Sequence, residues 1–231
     1  MSTTTALKLL TSNSMRAVLD DLLPALERAS GVRVSVSYDP AQLMMKRIAA
    51  GETGDLAILG QVSIDELTRQ GKIIAGSERT LARCGVGIGV RAGVPKPDVA
   101  TVDAFKRALL NAKSVAYTSS GASGIHFSGV IERLGIAAEV KAKSVTQPGG
   151  LVGEIVVRGD AEIAIQQIPE LMAVPGIDLV GPLPQALQNI SVSVGGVFAG
   201  SKQREAAQAL LASLATPAAA RVFRTRGLEP A

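Results

Sequence analysis

Apolar and polar positions alternate in two registers along the chain, and the switches between them mark out strands and helices. The apolar runs at 7–10, 56–59 and 162–165 are too short for helices and read as buried strands. Alternation over 32–38 predicts a strand with one wet face. After the first run, Met15, Val18, Leu19, Leu22, Leu23 and Leu26 recur on one helical face, which Pro24 is expected to kink. Leu43, Met44 and Ile48 mark another helix that Gly51 stops. Asp39 and Pro40 read as its N-cap and first-turn proline, and the Ser63–Glu66 spacing as a capping box opening a third helix. A strand over 84–91 leads into a loop at 92–97, and the alternation resumes. It predicts a helix at 101–111, a strand at 114–117 and a helix opened by 118–124 that runs to about 134. A strand near 140–145 follows, then a helix opened by 147–150 and ended by Gly159 and Asp160. A long strand at 190–198 and helices at 202–215 and 217–226, the last capped by Thr216, complete the pattern.

Strand–helix alternation predicts an α/β fold with parallel pairing, and the order occurs twice. Residues 39–58 and 147–165 share a proline (Pro40, Pro148), a leucine three residues on (Leu43, Leu151), a helix, and a Gly-Asp pair before an apolar strand. Upstream, Thr11, Ser12, Asn13 and Ser14 correspond to Thr118, Ser119, Ser120 and Gly121. Two lobes of one design are the economical reading. In a parallel sheet the loops after the strands share one edge, where ligands bind. Four such loops, 12–14, 39–42, 119–124 and 147–150, are expected to be helix N-termini, whose free N–H groups and positive dipole ends suit an anion. Ser12, Asn13, Ser14, Ser119, Ser120 and Ser123 add side-chain donors, and Gly121, Ala122, Gly149 and Gly150 leave backbone accessible. Capping their own helices is the alternative role for the hydroxyls. Tyr38 and Tyr117, the two tyrosines, end strands beside these loops, and Gln166 and Gln167 offer neutral amides at the end of another. The 118–124 loop has the composition of a phosphate cradle but no P-loop lysine, which argues against nucleotide hydrolysis. No Lys or Arg lies in the four loops, so an anion would be held by neutral donors; Arg83 is the nearest cationic candidate. Asp39 could serve as a general base, and His126, one turn into its helix, could donate to an anion or shuttle a proton.

Composition narrows the chemistry. Hydrophobic residues at 47% against 19% charged describe an ordered protein. Four Phe, two Tyr and no Trp make the core aliphatic and remove the usual stacking platform for sugars or unpaired bases. The formal charge of +4 is scattered, so no nucleic-acid partner is expected. One cysteine, Cys84, in an apolar run implies no internal disulfide and a packing role, and one histidine implies no multi-histidine metal centre. No cofactor and no metal are expected. Residues 6–10 are too short for a signal-peptide core, and no run approaches the roughly 20 apolar residues of a membrane span. The sequence as written thus reads as cytoplasmic without membrane insertion, or as periplasmic if a leader was trimmed.

At these residues the chain resembles the type II periplasmic solute-binding proteins, particularly the molybdate-binding branch. The resemblance rests on the opening strand with Thr11–Ser14, the strand 54–58, the crossover 84–91, the loop 120–126, the segment 159–163 and the terminal helix from Pro217. It implies a two-lobed α/β fold, each lobe a mainly parallel sheet flanked by helices, with a hinge cleft closing on the ligand. Lobe I would comprise 1–83 and the return segment 190–231, and lobe II 84–189. The implied ligand is a small anion, either a molybdate-like oxyanion or a compact carboxylate, with an ABC permease as partner if the protein is exported. Asp39, Pro40, Ala41 and Gln42 stand where that branch places a serine. The chain also looks like the aconitate isomerase group of the same superfamily, which implies an alternative function, isomerisation of a small polycarboxylate by an allylic proton shift. There Asp39 or His126 would be the base.

Overall fold

The computed structural model describes residues 6–231. The chain opens with β1 (Leu7–Ser12), a 3-10 turn at Asn13–Met15, α1 (Arg16–Ser30), β2 (Val34–Asp39), α2 (Ala41–Ala49), β3 (Leu56–Gly60), α3 (Gln61–Arg69) and β4 (Arg79–Cys84). It continues through β5 (Val86–Arg91), α4 (Val102–Asn111), β6 (Val115–Thr118), α5 (Ala122–Arg133), α6 (Ala137–Lys141), β7 (Ser144–Gln147), α7 (Gly153–Arg158) and β8 (Ile163–Gln167). Then come α8 (Ile168–Met172), β9 (Ile177–Pro182), β10 (Ser191–Val197), α9 (Arg204–Leu214), α10 (Pro217–Thr225) and β11 (Glu229–Pro230). Two compact units result. Unit 1 holds the described residues up to Arg83 together with Ser191–Ala231, and unit 2 holds Cys84–Ile190.

Unit 1 carries a six-stranded sheet in the order β11-β4-β10-β3-β1-β2. Strands β2, β1 and β3 run parallel, and β10 returns antiparallel to β3. The sequence of β3 is apolar on both faces because both are covered, the usual signature of parallel strands. Met44 and Ile48 of α2, Ile64 and Leu67 of α3 and Phe198 pack with Leu10 and Leu59 on one side of this sheet. Unit 2 repeats the plan with five strands, β7-β6-β8-β5-β9. Here β7, β6 and β8 are parallel and β5 is antiparallel to β8. Its core joins Phe105, Phe127, Val130 and Ile131 to Val86, Ile88 and Ile165, and the Tyr117 and Phe127 rings meet edge to face at 5.1 Å. Each sheet is therefore mixed, and its parallel part carries the loops singled out from the sequence.

Several local expectations are corrected. The apolar run 84–91 is broken at Gly85 into the end of β4 and all of β5. α1 runs uninterrupted through Pro24, since its buried face (Val18, Leu19, Leu23) holds the helix while the proline forfeits one backbone bond. Pro40, not Asp39, occupies the cap position of α2, and Asp39 is the last residue of β2. α3 starts at Gln61 behind Gly60, so Ser63 lies inside the helix and caps nothing. Residues 140–145 are not one strand: Val140 is the buried residue of α6, and β7 begins only at Ser144. The 147–150 segment does not open a helix: Gln147 ends β7, a loop follows, and α7 begins only at Gly153.

Candidate functional site

In unit 1 the parallel register places Ser12 beside Asp39 and Thr11 beside Tyr38 at the C-terminal edge of the sheet. The Thr11 hydroxyl is buried and donates to the Ile58 carbonyl at 2.7 Å, tying β1 to β3. Ser12 ends the strand, and its Oγ lies 2.9 Å from that of Ser14. Neither Ser12, preceding the 3-10 turn, nor Met15, preceding α1, caps through its side chain. Asn13 and Ser14 are buried in that turn. The hydroxyls thus bond to each other and leave the first N–H groups of the helix without a side-chain acceptor, contrary to the capping alternative. Gly60 opens α3 in the same uncapped way at the end of β3. That third N-terminus escaped the sequence reading, which placed the helix start at Ser63.

Asp39 neither caps nor stands free. Arg47 Nη1 on α2 donates to its Oδ2 at 2.8 Å, and the same guanidinium bonds Ser37 Oγ at 2.8 Å and both oxygens of Glu52 at 2.6 and 2.9 Å. Lys8 adds an ion pair to Glu52 at 3.1 Å. Hydrogen bonding to Arg47, with help from Lys8, holds the Glu52 carboxyl down at about 2, and the two carboxylates raise the Arg47 guanidinium further. The negative charge of Asp39 is therefore balanced from the helix that follows its strand. Tyr38 turns toward α1: the Arg16 guanidinium sits 4.0 Å from its ring centroid and its hydroxyl reaches Asp20 at 3.4 Å. Burial, then the Asp20 charge, raises the phenol well above its ordinary value, which keeps it neutral.

In unit 2 the corresponding loop follows β6. Gly121 stands at the cap of α5 with no side-chain bond, so the N–H groups of Ala122, Ser123 and Gly124 open the helix uncapped. Gly124 is there because the helix sits directly on the strand end: a Cβ would fall 1.7 Å from the Thr118 carbonyl oxygen, and one on Gly121 would fall 2.3 Å from Thr118 Oγ1. That hydroxyl is buried and has no hydrogen-bond partner. Ser119 and Ser120 are corrected as free donors. Ser119 donates through its N–H (2.8 Å) and its hydroxyl (3.4 Å) to the Gln147 carbonyl, and the Ser120 hydroxyl donates to that of Pro148. They staple loop 118–121 to loop 147–150. Ser123 is buried in the first turn of α5.

Gln166 does not offer its amide to a ligand either. Fully buried, it accepts from the Val152 N–H at 2.9 Å and donates to the Gly150 carbonyl at 2.8 Å, fixing the turn where Gly150 adopts φ +86°. Gly149 lies in the same loop, half-buried. Gln167 caps α8 reciprocally with Glu170, and its Oε1 receives the Cys84 thiol at 3.4 Å. Burial pushes that thiol up to about 12, with the Glu170 charge adding to the shift, so it is unreactive packing. Glu170 was not foreseen. Glu170 is half-buried, and desolvation of its carboxyl raises it to about 8 against the Gln167 N–H and the Gln166 amide, which favour the ionised form. His126 Nε2 lies 2.7 Å from the Leu187 carbonyl, an acceptor only, so this nitrogen carries the proton and donates, which leaves Nδ1 as the acceptor nitrogen of the neutral ring. Arg83 is exposed on β4, opposite Glu229 of β11. Among the described residues no cluster of His, Cys, Asp and Glu is suited to a metal ion.

The comparisons with known proteins agree with this architecture. An aconitate isomerase from a Pseudomonas species is 35% identical over 98% of this chain and 88% of its own length. The periplasmic molybdate-binding protein of Azotobacter vinelandii superposes with a TM-score of 0.81 at 17% identity, covering 96% of this chain and 98% of that one. The sulfate-binding protein of Mycobacterium tuberculosis H37Rv gives 0.77 at 20% identity, over 98% and 87%. At these identities the likeness shows a shared fold, here a mixed α/β arrangement of two sheets flanked by helices. With residues 7–229 matching the family described as bacterial extracellular solute-binding protein, the chain belongs to that family.

Proposed function

We propose that this protein binds a small anion through backbone N–H groups at the helix starts that follow its parallel strands, and that the anion is a compact carboxylate of the aconitate class. One observation carries the reading. α1, α2, α3 and α5 all start at the ends of parallel strands β1, β2, β3 and β6, and none has a capping side chain. α4 and α10 are capped by the hydroxyls of Thr101 and Thr216, and α8 reciprocally by Gln167 and Glu170. α6 and α9 are uncapped too, so the reading rests on the four open starts of α1, α2, α3 and α5 lying after parallel strands and not on the missing caps alone. Uncapped N-termini present donors and a positive dipole end, each favouring an anion by about 0.3–1 kcal/mol before desolvation strengthens it. Within unit 1 the donors are Ser12, Asn13 and Ser14, and within unit 2 they are those of the 118–124 loop. The Asp39–Arg47 pair removes the repulsion that a bare carboxylate would exert on the ligand. The 35% identity to an aconitate isomerase over nearly the whole chain ranks a carboxylate above an inorganic oxyanion.

That identity also supports a second reading, in which bound aconitate is isomerised. A base would remove a proton from the methylene carbon, and a proton would return at the far end of the three-carbon allylic unit as the double bond moves. Asp39 and His126 are the acid–base candidates for this: Asp39 Oδ1 makes no bond among the described residues, and the Nε2 bond of His126 orients a ring whose Nδ1 can accept a proton. In the transport form of the first reading, the partner is an ABC permease on the outer face of a membrane, and adjacent permease and ATPase genes check it.

The deciding experiment is a thermal-shift panel of molybdate, sulfate, citrate, cis-aconitate and trans-aconitate, followed by proton NMR of the aconitates in deuterated water. A ligand at 100 times its Kd adds about 2.7 kcal/mol, and stabilisation by the carboxylates alone is the expected result. Stabilisation by molybdate alone overturns the ligand class. Interconversion of the aconitates that Asp39→Asn abolishes establishes the isomerase; binding without turnover leaves a receptor.

A further inference from the structure

Unit 2 contains a cavity of about 720 Å³ at the opposite end of its sheet from the 118–124 and 147–150 loops. Those loops follow the C-terminal ends of β6 and β7, whereas the cavity lies where β8 begins at Ile163 and the antiparallel β5 ends at Arg91. Its volume falls in the range of pockets that enclose small molecules, about 300–1,000 Å³. The space exists because the residues around it are short. α4 turns Ala104 and Ala108 toward it, four residues apart on one helical face, Ala112 continues the wall just past the helix end, and Ala161 leads into β8 beneath them. Val90, Val156 and Ile163 complete an apolar floor.

The rim is polar and asymmetric in what it leaves unused. Asp98 accepts the Ala100 N–H at 3.0 Å and Glu162 accepts the Lys113 N–H at 2.8 Å, so each carboxylate already serves the backbone. The guanidinium groups of Arg91 and Arg107, both exposed on the same rim, make no hydrogen bond or ion pair among the described residues. Two unengaged guanidinium groups above an apolar floor match an acceptor-bearing head on a hydrocarbon body.

We infer that this cavity is a second ligand site, separate from the anion-binding loops, for an amphipathic carboxylate whose hydrocarbon part lies against the α4 alanines and whose carboxylate meets Arg91 and Arg107. The inference does not rest on the function proposed above, because the two sites share no residue.

The test titrates the full chain with 4-phenylbutyrate, with 4-phenylbutanol and 4-phenylbutylamine as neutral and cationic counterparts, by calorimetry and by amide NMR shifts. Expected is saturable binding of the acid with a Kd below about 1 mM, and at least tenfold weaker binding of the alcohol and the amine. Arg91→Ala with Arg107→Ala should weaken the acid at least tenfold. Ala108→Phe, which plugs the cavity from a half-buried position, should abolish binding while circular dichroism and Tm report an intact fold. Saturating cis-aconitate should not displace the acid. Equal binding of acid and alcohol, displacement by cis-aconitate, or undiminished binding to Ala108→Phe would each overturn the assignment. Should Ala108→Phe not fold, the arginine pair and the displacement arm decide the matter.

Discussion

At the scale of single residues, the 118–124 loop shows how a ligand-like composition can have a packing cause. Its glycines read from sequence as backbone left open for an anion, and Gly121 does cap α5 without a side chain. Yet Gly124 is required first by contact, since α5 rests on the Thr118 carbonyl with no room for a methyl group. Gly129 in the same helix is exposed, with nothing within 4 Å of a Cβ. The pair gives opposite expectations. Gly124→Ala should cost at least about 2 kcal/mol in urea unfolding, as backbone is forced apart. Gly129→Ala should gain about 0.5–1 kcal/mol, from lower unfolded-state entropy and better helix propensity. Residue types were legible in the sequence, but their partners were not. Nothing in the spacing of Asp39 announced Arg47 eight positions on, because that pairing needs β2 and α2 laid side by side. His126 likewise meets a carbonyl 61 residues away.

At the scale of elements, hydrophobic periodicity located nearly every long helix and buried strand, and it failed where elements are short or half-wet. α8 and β9 went unread: α8 has five residues, and β9 is half-buried along nearly all its length, so neither shows a clear period. Thr216 was read correctly as a cap, but other helix starts slipped where a polar or glycine residue resembled one. Ser63 and the 147–150 loop both misled in this way, since a hydroxyl or glycine near a helix start signals turn chemistry without saying which residue caps. Thr101 accepts the Ala104 N–H at 3.1 Å, so Thr101→Ala should lower stability by about 1 kcal/mol and leave anion affinity unchanged. Ser14→Ala should do the reverse. It loses a hydroxyl pair worth about 1 kcal/mol or less, while the anion Kd rises about tenfold, as when a hydrogen bond to a charged group is removed. Parallel urea unfolding and ligand titration of both variants check the contrast.

At the scale of the whole molecule, the internal repeat was the most informative thing in the sequence, and its topology explains why. Strand order β2-β1-β3-β10 in unit 1 has the same sense, strand for strand, as β7-β6-β8-β5 in unit 2. The matched segments fall on equivalent places: Asp39 and Gln147 end β2 and β7, and the Gly-Asp pairs precede β3 and β8. Position Glu170, just past the second of these strands, gives the molecule a pH dependence that composition could not suggest. Its carboxyl is held near 8 when folded against 4.5 ordinarily, so between these values the folded chain binds more protons than the unfolded one. Stability from this group is therefore fully present below about pH 4.5 and is lost as pH rises toward 8. Glu52, Glu78 and Glu27 act in the opposite sense, because their folded values are lowered and their contribution is lost only as pH falls below 4.5. Stability should accordingly peak near pH 5 and decline to pH 8 by about 2 kcal/mol or more, a fall of about 4–8 °C in Tm for a chain of this size. Glu170→Gln keeps the shape and the hydrogen-bonding capacity but cannot ionise. Melting curves of this variant should be flat from pH 5 to 8 and lie above the parent at pH 8; a parent curve already flat across that range would show that the carboxyl is hydrated in solution.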